Sequence, residues 1–217
     1  DPSWYDKVMI PLPKLPSPWR IVQDRVTAFS DEHVELASGE VLETDAVVIA
    51  TGAKHAPLTP QGYEGPQAWE ELRGRIAAAS SILFVGGGPI GLELAGEIRH
   101  AFPDVEITIV ERQDALLKRF TNPKFGQALI KRLRQLGILL ELETAVERLP
   151  QSGEPFEGEV GNKRASFDLA FASVGAKPNT EGLAESVGAA RTQRGLVDVD
   201  AQLLIKGTRS VFAAGDI

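Results

Sequence analysis

Cysteine is absent from the 217 residues of the chain, and histidine occurs only three times. Without thiols these residues cannot form a disulfide framework, a thiolate metal site or a redox-active cysteine pair. The three histidines, His33, His55 and His100, are far apart in sequence, which argues against a histidine metal site. We therefore expect no metal centre.

Long apolar runs and long basic runs are missing as well. No apolar stretch approaches the roughly 20 residues that cross a bilayer, and no charged-then-apolar leader is present. Lys and Arg number 23 against 30 Asp and Glu, a net charge of −7. We expect no transmembrane segment in these residues and no nucleic-acid partner. With neither leader nor cysteine, we expect an intracellular protein of a reducing compartment, in the cytoplasm or the mitochondrion.

The hydrophobic content of 43% is sufficient for a globular core, and the most informative stretch spans residues 81–97. It combines an apolar run, a glycine turn and a helical pattern, and Gly86, Gly88 and Gly91 have the G-x-G-x-x-G spacing. We expect Gly86 to permit a sharp turn, Gly88 to admit a diphosphate, and Gly91 to let the helix pack closely on the strand. The N-terminus of the helix then points at the ligand. The residues expected on its buried face are Ile90, Leu94, Ile98 and Phe102.

A second strand pattern at residues 105–110 ends in an acid, Glu111, twenty residues after Gly91. A carboxylate at this position can accept hydrogen bonds from both hydroxyls of an adenosine ribose. The same charge repels a 2′-phosphate, so NADH is favoured over NADPH. Arg112 keeps NADPH open as the alternative, because its guanidinium could pair with that phosphate.

The other patterns alternate between strand and helix, which is typical of an α/β fold. Alternating apolar residues between positions 20 and 42 predict a small antiparallel meander. The apolar run at residues 45–52 predicts a central strand covered on both faces. Residues 69–79 predict a helix and residues 138–142 a strand. Gly161 and Asn162 predict a hairpin turn between strands at residues 156–160 and 164–167, and a further strand follows at residues 168–175.

A helix after residue 121 has a complete set of end signals. Thr121 or Asn122 is its expected N-cap, Pro123 lies in its first turn, and Gly137 is its expected stop. The basic residues near its C-terminus suit the helix dipole, so we interpret them as a solvated helix end and not as a phosphate site. The apolar face is expected to contain Phe125, Leu129, Leu133 and Leu136.

An internal repeat links the two halves of the chain. Residues 45–54 (DAVVIATGAK) and residues 168–177 (DLAFASVGAK) both follow a meander, and both are apolar strands that end in Gly-Ala-Lys. The chain therefore contains two related units. The first unit has no glycine turn of its own in these residues, so we expect the corresponding phosphate loop to precede residue 1 of a longer protein.

Four segments in this order resemble the FAD-dependent pyridine nucleotide-disulfide oxidoreductases: residues 50–52, 86–91, 173–180 and 213–216. Residues 86–97, 102–109 and 7–11 are similar to the apoptosis-inducing-factor-like branch, which includes the ferroptosis suppressor protein. The resemblance implies an α/β, Rossmann-like FAD/NAD(P)-binding fold, with a parallel sheet and an antiparallel meander insert, next to an incomplete second copy. It also implies a C-terminal domain beyond residue 217.

The resemblance also implies domains and site residues. A partial FAD-binding domain would comprise residues 1–58 and 195–217, and an NAD(P)H-binding domain residues 59–194. Glu93 matches the family position beside the nicotinamide ring and is the expected catalytic residue. The residues implied to contact FAD are Val26, Thr51, Gly52, Gly215 and Asp216. Besides the turn glycines Gly86 and Gly91, those implied to contact the nicotinamide dinucleotide are Gly88, Pro89, Ile90, Glu111 and Gly175.

For Glu93 the sequence also allows a plainer interpretation. Glu93 and Glu97 are like charges one helical turn apart, which is unfavourable unless one of them has a partner. A solvated pair near the positive end of the helix is the alternative to a functional role.

The implied function is that of a flavoprotein oxidoreductase, which passes a hydride from NADH to FAD and electrons onward to a quinone or similar acceptor. The alternative is a nucleotide-binding module that binds NAD(H) without flavin or turnover and whose occupancy controls a partner. A complete single-cofactor dehydrogenase is disfavoured, because no catalytic base is evident and the repeated unit would have no role.

Overall fold

The computed structural model describes residues 7, 10–11, 19–54, 66–118, 122–188 and 190–217. They form two compact units. The turn unit contains the described residues between 66 and 175, and the meander unit contains residues 19–54 together with the described residues from 176 onward. Residues 176–194, which we predicted to belong with the nucleotide domain, lie in the meander unit. The assignment of a cofactor to each unit stays a prediction.

Helices and strands alternate between residues 66 and 141, as expected for an α/β protein, and strands predominate before and after this part. In chain order they are β1 (Val26–Phe29), β2 (His33–Leu36), β3 (Val41–Glu43), β4 (Val47–Ile49), β5 (Ala53–Lys54), α1 (Pro66–Ala78), β6 (Ser81–Val85), α2 (Pro89–Ala101), β7 (Glu106–Val110), α3 (Pro123–Gln135), β8 (Leu139–Glu141), β9 (Glu154–Val160), β10 (Lys163–Ala172), β11 (Lys177–Pro178), a 3-10 turn (Glu181–Leu183), α4 (Ala184–Val187) and β12 (Val211–Ala213). Within the described ranges, no helix is long and apolar enough to cross a membrane.

The turn unit is built on a five-stranded sheet in the order β8-β7-β6-β10-β9. Strands β8, β7, β6 and β10 are parallel, and β9 is antiparallel to β10. Phe84 and Phe171 lie opposite each other on β6 and β10, and their rings stack at 5.2 Å between centroids. The stacked rings lie in the core and support the pairing of β6 with β10, so the two strands end at the same edge of the sheet. The predicted Rossmann-like α/β fold is confirmed.

Strand β10 is longer than predicted. We expected separate strands at residues 164–167 and 168–175, but one strand runs from Lys163 to Ala172. Its first half pairs antiparallel with β9, its second half pairs parallel with β6, and the register shifts between Phe167 and Ala170. An irregularity of this kind bends a strand without ending it, and alternation in the sequence does not reveal it.

The buried face of α2 differs from the prediction. Its buried residues are Gly91, Leu92, Ala95 and Ile98, whereas Ile90 is 42% exposed and Leu94 is half-buried. Small residues at positions 91 and 95 face inward, so the helix can lie close to the sheet. Of the four residues predicted for the buried face, Ile98 belongs to the core and Leu94 and Phe102 pack against it. The prediction is wrong at Ile90, which faces outward.

The predicted ends of α3 are confirmed. Asn122 is the N-cap, and its side-chain oxygen accepts a hydrogen bond from the Lys124 N–H at 2.7 Å. Thr121, the other predicted cap, lies outside the described residues. The helix ends at Gln135, and Gly137 follows with a φ of 68°. Phe125, expected on the apolar face, is 53% exposed, because the inward position is taken by Gly126.

The meander unit contains the predicted antiparallel sheet β1-β2-β3. Strand β4 pairs in parallel with β12, and the short strands β5 and β11 pair antiparallel. We predicted β4 as a central strand covered on both faces. In the described part of the chain, β12 is its only strand partner and Val48 is 64% exposed, so that prediction is wrong there.

Candidate functional site

The glycine turn joins β6 to α2 and leaves the N-terminus of the helix open. Gly86 has a φ of 103°, and a Cβ at this position would overlap the carbonyl oxygen of Ser173. Gly88 is the N-cap of α2, with extended backbone and no side-chain capping hydrogen bond, and Pro89 begins the helix. The first N–H groups of α2 are therefore not satisfied by a cap, which is the arrangement that binds anions.

Gly91 lies where the helix meets the end of β10. A Cβ on Gly91 would be 2.7 Å from the Ser173 Oγ and 2.8 Å from the Ser173 Cβ. A Cβ on Gly88 would be 3.3 Å from the Ser173 carbonyl oxygen. We predicted close helix packing at Gly91, and the structure identifies Ser173 as the residue that requires it. Sequence analysis did not single out Ser173 as a site residue.

Glu111 is held against the glycine turn. Its Oε2 accepts the Gly87 N–H and its Oε1 accepts the Gln113 N–H, both at 2.8 Å. A carboxylate offers about four acceptor positions, so each oxygen can still accept a ribose hydroxyl. The spacing of twenty residues predicted this carboxylate beside the turn, and the structure brings the two together. Gln113 was missed, because nothing in the sequence marks the N–H of a loop residue.

Residues that follow β6 and β10 lie at the same edge of the sheet, because the two strands are parallel and Val85 is paired with Ala172. Pro89 and Ile90 follow the first strand, and Gly175 follows the second. Pro89 and Gly175 are exposed, as is Ile90. Val174, which was not predicted, is 54% exposed beside Gly175. Ile90 and Val174 are thus exposed apolar side chains on residues that follow these two strands.

Glu93 lies on the exposed face of α2, one turn after Pro89. Within the described ranges it forms no ion pair, and neither does Glu97. The structure therefore places Glu93 at the exposed surface of the helix that borders the turn. Its catalytic role stays a prediction.

A second group of predicted site residues meets at one edge of the meander unit. Strands β4 and β12 are parallel, with Ile49 opposite Ala213, and the Ala214 N–H donates to the Ile49 carbonyl at 3.0 Å. The residues that follow these strands are thereby brought together: Thr51, Gly52, Gly215 and Asp216. A Cβ on Gly52 or on Gly215 would meet nothing within 4 Å, so both positions are open. Val26 is half-buried in β1, which belongs to a different sheet.

Asn179 fixes the backbone at Thr51 and Gly52. Its N–H donates to the Gly52 carbonyl at 2.8 Å, and its side-chain amide donates to the Thr51 carbonyl at 3.3 Å. The Thr51 hydroxyl in turn donates to the Asn179 carbonyl at 3.1 Å. The predicted Thr51 side chain therefore orders the loop. Asn179 was missed as a site residue, although an Asn directly after Lys-Pro is a turn signal that could have identified it.

Two aspartates hold the starts of the strands that lead to these edges. Asp168 accepts the N–H groups of Ser80 and Ser81, and these hydrogen bonds lower the pKa of its carboxyl below the ordinary aspartate value. Asp31 accepts the N–H groups of Arg209 and Ser210, which lower its pKa in the same way. Both carboxylates therefore hold the position of the strands that follow these N–H groups.

Comparison with known proteins supports the resemblance seen in the sequence. The chain is 30% identical to apoptosis-inducing factor 1 of Saccharomyces cerevisiae, over 98% of this chain and 60% of that protein. It is 31% identical to the FAD-dependent oxidoreductase FVFD30 of Flammulina velutipes, over 98% of this chain and 69% of that protein. The chain thus spans about three-fifths of the length of the yeast relative. The resemblance to the apoptosis-inducing-factor-like branch is confirmed.

The fold agrees with this relationship. The crystal structure of a ferredoxin reductase from Rhodopseudomonas palustris superposes with a TM-score of 0.71 and 24% identity, over 90% of this chain and 50% of that one. At this identity the likeness concerns the fold alone. Residues 18–217 match the family model described as pyridine nucleotide-disulphide oxidoreductase, and the chain therefore belongs to that family.

Proposed function

We propose that the protein is an FAD-dependent NADH oxidoreductase, which passes a hydride from NADH to the flavin and electrons onward to a quinone or similar acceptor. One observation carries the proposal most directly: the open N-terminus of α2 lies beside a carboxylate that the turn itself holds, through the 2.8 Å hydrogen bond from Gly87 to Glu111. Membership of the family and the resemblance to flavoprotein relatives support the same activity.

The residues of the turn unit fit a nicotinamide dinucleotide. In the proposal, the N–H groups at the start of α2 bind the diphosphate, and Gly88 lets the backbone approach it. Glu111 accepts hydrogen bonds from the adenosine ribose. Pro89, Ile90 and Gly175 border the rest of the cofactor, and Glu93 lies by the nicotinamide ring.

The residues of the meander unit fit part of a flavin dinucleotide. Asp216 can accept a hydrogen bond from a sugar-alcohol hydroxyl, and the open backbone at Gly52 and Gly215 admits a large group. Thr51 and Val26 complete the proposed FAD contacts. When bound, a flavin accepts a hydride and releases electrons to a second acceptor. The task of the chain is then to bind, orient and exclude water.

Purified protein tests this proposal through two separate readouts. Titration of NADH in a calorimeter is expected to release heat at a single site. The protein is expected to be yellow when it retains or is supplied with FAD, and anaerobic addition of NADH is expected to bleach it. A folded protein that gives no binding signal with NADH contradicts the proposal.

A nucleotide-binding module without flavin chemistry is the second candidate. It is favoured by one observation: the turn unit has a five-stranded sheet, whereas the sheets containing β4 and β5 in the meander unit have two strands each among the described residues. A colourless protein that binds NADH, is not bleached in the presence of added FAD and shows no turnover supports the module and contradicts the oxidoreductase.

The acceptor and the cellular location belong to the proposal as well. We propose a quinone or similar small-molecule acceptor, and an intracellular location in the cytoplasm or the mitochondrion. Reduction of a soluble quinone by NADH in the presence of the protein tests the acceptor. Fractionation of cells that express the tagged protein tests the location, and recovery from the medium contradicts it.

A further inference from the structure

We propose that Ser173 is a further binding residue of the dinucleotide site, and that its hydroxyl donates a hydrogen bond to the diphosphate at the glycine turn. This inference rests on the proposed binding of NADH to the turn unit. Ser173 is neither one of the turn glycines nor part of α2. It would add a side-chain donor to a site otherwise built from backbone N–H groups and one carboxylate.

The backbone of Ser173 is fixed beside the turn. Ala172, the last residue of β10, is paired with Val85, the last residue of β6. The Ser173 N–H then donates to the Val85 carbonyl at 2.7 Å, so the parallel ladder continues one residue beyond the strands. The position of the Ser173 Cα relative to Gly86 is therefore set by the sheet.

The side chain of Ser173 is directed at the glycine turn and the first turn of α2. Its Oγ lies 2.7 Å from the place that a Cβ on Gly91 would occupy and 3.8 Å from the place of a Cβ on Gly88. Gly91 thus leaves the space in which this hydroxyl lies, whereas the distance at Gly88 is an ordinary van der Waals contact. A diphosphate at the helix N-terminus has to occupy the same neighbourhood.

The hydroxyl of Ser173 has no protein partner among the residues that the structure describes. Other serine hydroxyls of the chain form hydrogen bonds within the protein. The Ser152 hydroxyl accepts the Ala172 N–H at 3.1 Å, and the Ser210 hydroxyl donates to the Asp31 carbonyl at 3.0 Å. Ser173 is half-buried, and its Oγ is not among the fully buried polar atoms that lack a partner, so the hydroxyl is accessible to a ligand. A ligand oxygen at this place would accept its hydrogen bond.

Packing alone does not require a hydroxyl here. In the internal repeat, Ser173 corresponds to Ala50, so the related strand ends with a methyl group at the same position. An alanine could adopt the same backbone conformation between β10 and the following Gly-Ala-Lys. The serine therefore provides a polar atom that the fold does not need at this point.

The test compares two serine-to-alanine variants of the whole 217-residue chain. Ser173→Ala is expected to lower the affinity for NADH and for ADP-ribose by about 3- to 10-fold, the usual effect of one hydrogen bond, with little change in melting temperature. Affinity for adenosine, which has no phosphate, should be unchanged. The control Ser152→Ala removes a buried structural hydrogen bond, and should lower the melting temperature while NADH affinity is retained.

Three results would overturn the inference. One is NADH affinity in Ser173→Ala equal to that of the wild type, and another is an equal loss for adenosine, which would indicate a distorted site. The third is a folded wild type that does not bind NADH, which defeats the proposed function as well. If Ser173→Ala does not fold, Ser173→Cys keeps the shape with a weaker donor, and unchanged affinity in that variant refutes the role.

Discussion

Leu116 and Glu111 together decide which residue can occupy position 87. A Cβ there would overlap the Cδ2 of Leu116, which is 2% exposed, and would lie 3.3 Å from the Oε2 of Glu111. Position 87 is a variable position of the G-x-G-x-x-G pattern, so the pattern does not require glycine. The requirement comes from the buried leucine and from the carboxylate that accepts the Gly87 N–H.

Gly87→Ala is therefore expected to lower stability by about 1–3 kcal/mol, the usual cost of overpacking, and to weaken NADH binding about tenfold. The binding loss follows from displacement of Glu111. Thermal unfolding and NADH titration measure the two effects. The matched control is Gly96→Ala in the same unit, because a Cβ on Gly96 meets nothing within 4 Å. In the control we expect unchanged binding and a gain of up to about 1 kcal/mol from helix propensity.

We propose that Glu111 also sets the preference between the two nicotinamide cofactors. Glu111→Gln removes the charge that repels a 2′-phosphate, so we expect NADH affinity to fall about tenfold and the NADPH-to-NADH affinity ratio to rise. Parallel titrations with both cofactors measure the ratio. Arg112→Ala is the control, and it should leave the affinity for NADH unchanged. An unchanged ratio in Glu111→Gln would show that the acid does not select the cofactor.

At the scale of elements, the ends of helices and strands are held by named polar groups. Asn122 caps α3 through the Lys124 N–H. Replacement of such a cap by alanine costs about 1 kcal/mol, so Asn122→Ala should lower the free energy of unfolding by that amount. Urea denaturation measures it, with the exposed Gln127→Ala of the same helix as the control. An equal effect of the two substitutions would argue against capping.

Asp168 lies in β10 and links that strand to the start of β6, and the stability of this link depends on pH. Its carboxylate accepts the Ser80 and Ser81 N–H groups, and its pKa is lowered in the folded chain. A lowered folded pKa gives stability that is present above the unfolded value of about 4, and that is lost as the pH falls through the folded pKa.

We therefore expect Asp168→Asn to reduce stability at pH 7 and to flatten the fall in stability between about pH 5 and pH 3. Urea denaturation at a series of pH values measures this slope. Asp104→Asn serves as the control, since that aspartate is an exposed residue of the turn before β7. A slope in Asp168→Asn equal to that of the wild type would contradict the role of the hydrogen bonds.

At the scale of the whole molecule, we propose that NADH and FAD contact different units. NADH should slow hydrogen exchange most at residues 86–91 and 111–113, where the turn and Glu111 lie. FAD should slow it most at residues 51–52 and 214–216. Exchange measured by mass spectrometry, with and without each cofactor, tests the assignment. Protection by NADH concentrated at residues 51–52 would reverse it.

Much of this arrangement follows from local sequence. The glycine spacing, the apolar strands and an acid at a fixed distance specify a strand-turn-helix-strand unit, because turn and period are properties of neighbouring residues. The caps of α3 are equally local. The Gly-Ala-Lys repeat indicates a second unit. The pairing of β4 with β12, which places Thr51 and Asp216 at one edge, is a long-range contact and came from the structure.

What the sequence by itself determined is thus the turn, the acid and the α/β class, since each depends on residues close together along the chain. Only the tertiary structure decided that Ser173 packs against Gly86 and Gly91, that Asn179 orders Thr51, and that α2 turns Ile90 outward. Those contacts join residues about 80 or more positions apart, or depend on how closely a helix approaches its sheet. Local patterns do not encode such distances.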